Sequence, residues 1–130
     1  HRYYDAVALG MGLTAADLQR RLMAEGKPWE ISKAFDGSAV ISDFVSLEEI
    51  DDKDALGFTL EVGGVQVQAG NARDMQFSID KIIAYVSQFF TLKIGDLIYT
   101  GTPAGAALLA KDTRVVGRIG ERKLLDFNIK

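Results

Sequence analysis

Two short alternating runs, Phe58-Thr59-Leu60-Glu61-Val62 and Val65-Gln66-Val67-Gln68, flank Gly63-Gly64. Alternation at period two marks strands with one buried face, and paired glycines accept the positive φ values of the tightest hairpin turns. A β-hairpin over 58–68 is therefore predicted, so the fold must contain antiparallel sheet. Upstream, Val7–Leu13 is apolar with Gly10 and Gly12 inside it, as in a buried strand that another backbone approaches. Thr14 reads as a helix N-cap with Asp17 three residues on, and Leu18, Leu22 and Met23 fall at helical spacing. This predicts a helix over 15–25, stopped by Gly26 and Pro28. Residues 38–45 read as a strand. A second helix is predicted over 79–90, with Ser78 as N-cap and Asp80 near the positive end. Its apolar face, Ile79, Ile82, Ile83, Val86, Phe89 and Phe90, is expected to pack on a sheet through Ile82, Val86 and Phe90. Residues 97–100 read as a buried strand leading into the loop 101–105, and strands near 113–119 and 122–129 flank a turn at Gly120-Glu121. Two helices and at least six strands without an internal repeat make a β-rich α+β domain.

Composition narrows the chemistry. The 130 residues, 48% hydrophobic and 25% charged, suit one globular domain that needs no disulfide staples. There is no cysteine, which removes a disulfide scaffold, a thiolate metal site and a cysteine nucleophile. The single histidine is His1, so an internal triad or histidine metal cluster is not expected. Fifteen basic residues against 18 acidic ones, scattered, argue against a nucleic-acid surface. No apolar stretch approaches the roughly 20 residues of a membrane helix, and no secretory signal opens the chain. A cytoplasmic location is the simplest expectation. The start, without a methionine, reads as the interior of a longer protein.

Motif searches return mostly negatives. The acidic stretch 48–54 lacks the glycine and terminal glutamate of a calcium loop and contains Lys53, so it reads as a solvated loop. Gly10-Met11-Gly12 lacks the third glycine of a dinucleotide fingerprint, and neither a phosphate-loop lysine nor a G-x-S-x-G elbow is present. Taken singly, Gln19 reads as a solvent-facing helix residue, Lys33 as a surface lysine, and Thr102 as a turn residue capping its own backbone.

Taken in order, the segments around these residues carry more. Gly26-Lys27-Pro28-Trp29-Glu30-Ile31-Ser32-Lys33-Ala34-Phe35-Asp36, Asp74-Met75-Gln76-Phe77-Ser78-Ile79 and the run Tyr85 to Gly105, ending Tyr99-Thr100-Gly101-Thr102-Pro103-Ala104-Gly105, follow one another at fixed spacing. They resemble the fumarylacetoacetate hydrolase family, in its smaller acylpyruvase-like bacterial branch, along nearly the whole chain. The resemblance implies a mixed β-roll or distorted barrel with two main helices, and makes residues 1–130 one N-terminally incomplete catalytic domain. It implies a C–C bond hydrolase acting on 1,3-dicarbonyl acids of the acylpyruvate or fumarylpyruvate type. The alternatives are an oxaloacetate decarboxylase or tautomerase activity, or a non-catalytic binding or assembly module. A homodimer without nucleic-acid or membrane partners is implied as well.

By the same resemblance Lys33 is the catalytic positive charge, and Gln19, Lys33 and Thr102 bind substrate. Such enzymes use Mg²⁺ or Mn²⁺ on carboxylates, and here the pattern breaks. The Glu-x-Glu ligand pair would lie upstream of His1, the third ligand's slot is Gly12, and the motif's arginine is Ala16. After Gly105 the chain reads Ala106-Ala107 in place of the usual Val-Gly. Metal binding by this chain is expected to be weak or absent. Asp17 is expected to cap a helix, Asp36 to give at most an outer contact, and Lys33 to stand unpaired or lean on Asp36.

Overall fold

In the computed structural model, which describes residues 3–130, the hairpin forms where the alternation places it. β3 (Gly57–Val62) and β4 (Val65–Asn71) pair antiparallel. Gly63 and Gly64 take φ values of 60° and 80°, the positive pair that a two-residue primed turn requires. β5 (Arg114–Ile119) pairs with β3 on one side and with β6 (Arg122–Asn128) on the other. The result is an open antiparallel sheet in the order β4-β3-β5-β6. A second sheet has two strands, β1 (Ala6–Gly12) and β2 (Ala39–Ser46). Two helices, α1 (Ala16–Ala24) and α2 (Ile79–Val86), complete the α+β architecture. None is long and apolar enough to cross a membrane. His1, and the reading that sets it aside, lie outside the described residues.

The β1–β2 ribbon lies against β5 and β6. A bulge between Ala8 and Gly10 breaks the ribbon's ladder, and the N–H of Leu9 there donates to Ser42 Oγ at 3.0 Å. That bond accounts for a buried serine, because an unpaired polar group inside a core is costly. The side chain of Leu9 sits where a Cβ on Gly117 would otherwise be. Val115 is fully buried, and Val45, Leu47, Val116 and Leu125 are buried as well. Each such side chain contributes roughly 1.5–3 kcal/mol by leaving water.

Across the β5–β6 pair, Arg114 Nε and Nη2 both reach the Asp126 carboxylate at 2.7 Å, and Lys123 Nζ reaches it at 2.6 Å. The Arg114 hydrogen bonds, followed by that from Lys123, hold the Asp126 carboxyl well below the usual carboxylate range. A depressed folded-state value means stability that is present above the unfolded value of about 4 and lost as pH falls through the folded one. Asp126→Asn should therefore flatten the decline of the melting temperature below about pH 4. Parallel melts of both proteins across that range check this, and equal slopes would remove the pair from the acid response.

Three local readings are corrected. Thr14 does not cap α1: the N-cap is Ala15, without a side-chain bond, and Asp17 pairs with Arg20. α2 starts as predicted, with Ser78 Oγ accepting from the Lys81 N–H at 3.4 Å, but ends at Val86 rather than Phe90. The N–H groups of Phe89 and Phe90 both turn back to the Val86 carbonyl, so the last turn tightens. Ile83 reaches the core and Ile82 and Val86 are half-buried, whereas Phe90 is 67% exposed. Finally, residues 97–100 form no strand, and Leu97 and Tyr99 are about half exposed. That segment is pinned by a side chain instead of a ladder: the Tyr99 ring lies over Gly10, and its hydroxyl donates to the Val40 carbonyl at 2.9 Å. The acidic loop is solvated, as expected, but Lys53 ties it down by bonding Asp54 at 3.1 Å and Asp80 of α2 at 3.0 Å. Those carboxylates, Asp80 foremost, raise the Lys53 ammonium above its usual value.

Candidate functional site

Where β1 passes into α1, backbone bonds draw three segments together. The Leu13 N–H donates to the Ser38 carbonyl at 2.7 Å, and the Ala15 N–H donates to the Ser32 carbonyl at 2.9 Å. Ser32 is completely buried in the short helical turn Glu30–Ser32, where its hydroxyl donates to the Trp29 carbonyl. This lacing carries Lys33 to the end of β1, and its Nζ donates to Thr14 Oγ1 at 2.6 Å. Among the described residues Lys33 has no carboxylate partner, Asp36 included, and its ammonium rests on the neutral Thr14 hydroxyl. The reason Thr14 fails as an N-cap is the same: its hydroxyl is engaged across the junction. Gln19 stands one turn into α1, half-buried, its backbone N–H bonded to the Ala15 carbonyl at 2.9 Å.

Thr102 belongs to a second station. Its loop rests on β4: the Gln68 amide nitrogen donates to Thr102 Oγ1 at 3.1 Å and to the Pro103 carbonyl at 3.2 Å. Gly105, at φ 98°, brings its backbone so close to the Val67 carbonyl that a Cβ would collide with it. Among the described residues no hydrogen bond joins Thr102 to Lys33 or Gln19. Thr102 does not cap its own turn through a good bond, since its contact with the Pro103 carbonyl is stretched to 3.5 Å. Sequence reasoning missed two of these partners. Gln68 carried no signal beyond being a polar residue in an alternating strand, and Thr14 matched a helix cap equally well.

The donors for a cation are thin. Among the described residues no three acidic, histidine or cysteine side chains gather closely enough to share an ion. Gly12, two residues before Thr14, offers only backbone, and Ala16 brings no guanidinium. A hard divalent cation needs several charged oxygens, so the residues present do not fit one. A cavity of about 290 Å³ lies elsewhere, between β1, α2 and the 92–101 segment, and is mainly apolar, with Tyr4, Phe58, Ile83 and Tyr99 in its wall. None of Gln19, Lys33 and Thr102 lines it.

The α+β scaffold is shared with known enzymes. Residues 3–124 match the C-terminal domain of fumarylacetoacetate hydrolase, and the chain belongs to that family. It is 38% identical over 128 residues to the mitochondrial oxaloacetate tautomerase FAHD1 of Mus musculus, covering 98% of this chain and 58% of the relative. To the oxaloacetate tautomerase YcgM of Escherichia coli it is 42% identical over 102 residues, 78% of this chain and 47% of the relative. Among solved structures, fumarylpyruvate hydrolase from Pseudomonas aeruginosa, in complex with Mn²⁺ and pyruvate, superposes with a TM-score of 0.85 at 34% identity. That match covers 95% of this chain and 53% of the other. The chain thus spans about half the length of these relatives.

Proposed function

We propose that this chain supplies the substrate-side part of an enzyme acting on small 2-oxo dicarboxylic acids, and that its reaction is the enol–keto proton shift of oxaloacetate. Lys33 held on Thr14 carries the proposal, because it is a fixed cation at the end of a core strand. In a ketonisation the enol loses its O–H proton and the adjacent carbon gains one, with an enolate between. A fixed ammonium beside the enolate oxygen stabilises that charge, while Gln19 and Thr102 orient the carboxylates. Hydrolysis of an acylpyruvate asks for more, since water must be activated and a carbanion released. The tautomerases among the relatives support the first reading, and the fumarylpyruvate hydrolase supports the second. A homodimer belongs to the same proposal.

The test is the decay of the enol absorbance of oxaloacetate with the chain present. The chain should accelerate ketonisation, Lys33→Met should lower the acceleration at least about tenfold, and acylpyruvate should remain uncleaved. Acylpyruvate cleavage without ketonisation would favour the hydrolase. If Lys33→Met retained full activity, the lysine would have no catalytic part.

A further inference from the structure

We propose that Gln68 is a positioning residue that commits the Thr102 hydroxyl to donating a hydrogen bond, and so commits this side of the site to an anionic oxygen. The proposal rests on Thr102 contacting the substrate carboxylate. Its geometry begins in β4. Leu60 pairs with Gln68 and Glu61 with Gln66, which leaves Val67 as the extra residue of a bulge. Bulges re-aim the side chains that follow them. Beyond this one, Gln68 and Gly70 are two apart and share a face, and both meet the same loop. Gln68 bonds Thr102 and Pro103, and a Cβ on Gly70 would come within 3.1 Å of the Pro103 ring.

The direction of the bonds follows from the carbonyl. A carbonyl oxygen only accepts, so the nitrogen of the Gln68 amide must face Pro103. That same nitrogen has a second hydrogen, and it goes to Thr102 Oγ1. The threonine oxygen thereby accepts from inside the protein. Its own proton has only the stretched 3.5 Å contact with the Pro103 carbonyl and remains available to a ligand. A hydroxyl fixed in this way suits a carboxylate oxygen and disfavours a ligand that must donate.

Gln68→Met keeps the length and removes both donors. Three-bond couplings to the Thr102 methyl carbon, which report χ1, should show one rotamer in the parent chain and averaged rotamers in Gln68→Met. Pyruvate titrated into both should bind roughly tenfold more weakly to the variant, which corresponds to one lost charge-assisted hydrogen bond. Thr102→Val should weaken binding similarly, and the double variant should add little. Thr102→Ser, which keeps the hydroxyl, should retain affinity. A Thr102 that keeps a single rotamer in Gln68→Met overturns the proposal. Should Gln68→Met fail to fold, the Gln68 amide protons decide instead: in Thr102→Val they should exchange faster than in the parent, and unchanged exchange overturns the proposal. A parent chain whose Thr102 signals ignore pyruvate overturns the substrate reading, while the couplings still decide what Gln68 does.

Discussion

Gly105→Ala should lift the 101–105 loop off β4 and cost more than any other single methyl added to that loop. Two terms combine at this position. At φ 98° an L-residue is strained, by about 1–2 kcal/mol. The added Cβ would also strike the Val67 carbonyl oxygen and crowd Gln68 Cγ at 3.3 Å. The first obstacle is strand backbone, which cannot swing aside as a side chain could. The loop must therefore move, and the Gln68 bonds to Thr102 and Pro103 go with it. Gly101→Ala is the built-in control, because its φ of 106° is equally unfavourable while nothing lies within 4 Å of its Cβ position. Melting temperatures should rank the parent above Gly101→Ala and Gly101→Ala above Gly105→Ala, with about 2–4 kcal/mol lost in the last. Pyruvate affinity should collapse only in Gly105→Ala. Equal losses in the two variants would mean that φ alone matters and that the seat on β4 does not.

The contrast between those glycines shows what a sequence can and cannot disclose. Gly63-Gly64 was legible because the alternating residues on both sides already required a turn, and Ser78 was legible because a cap acts on residues next to it in the chain. Tyr99 was not. Its neighbours Leu97 and Ile98 are as apolar as any strand, yet a strand needs a ladder partner, and the segment has instead a ring on Gly10 and one hydroxyl bond to Val40. The choice depends on residues about 60 and 90 positions away. Thr14 failed for a similar reason: locally it suits a cap, but the ammonium of Lys33 arrives from 19 residues downstream and takes the hydroxyl. For the site, the resemblance pointed to Lys33, Gln19 and Thr102. What holds two of them in place, Thr14 and Gln68, depends on contacts that no local pattern encodes.

Titrated with Mn²⁺ in a calorimeter, the chain as it stands should show no binding tighter than millimolar. Mn²⁺ and Mg²⁺ give up water only for strong, well-placed carboxylates, and at the β1 end the position that would supply one is Gly12. That position is nonetheless ready to accept a ligand. Nothing lies within 4 Å of a Cβ built on Gly12, and its backbone is outside the left-handed region. An aspartate there should fold without strain, two residues from the Thr14 hydroxyl that holds Lys33. One carboxylate does not make a cage, so Gly12→Asp alone should bind weakly. In a chimaera that adds an upstream segment bearing the Glu-x-Glu pair, Gly12→Asp with Ala16→Arg should tighten Mn²⁺ by about a hundredfold, comparable to other large losses and gains at metal sites. Ketonisation should then become Mn²⁺-dependent, where in the chain as given it should be indifferent to added metal. The two halves of the result test different statements. Tight Mn²⁺ binding by the unaltered chain would mean that donors other than those at the β1 end form a site. A chimaera that gains nothing from the aspartate would mean that Gly12 does not occupy the ligand position, and that the cation in the relatives sits elsewhere relative to Lys33.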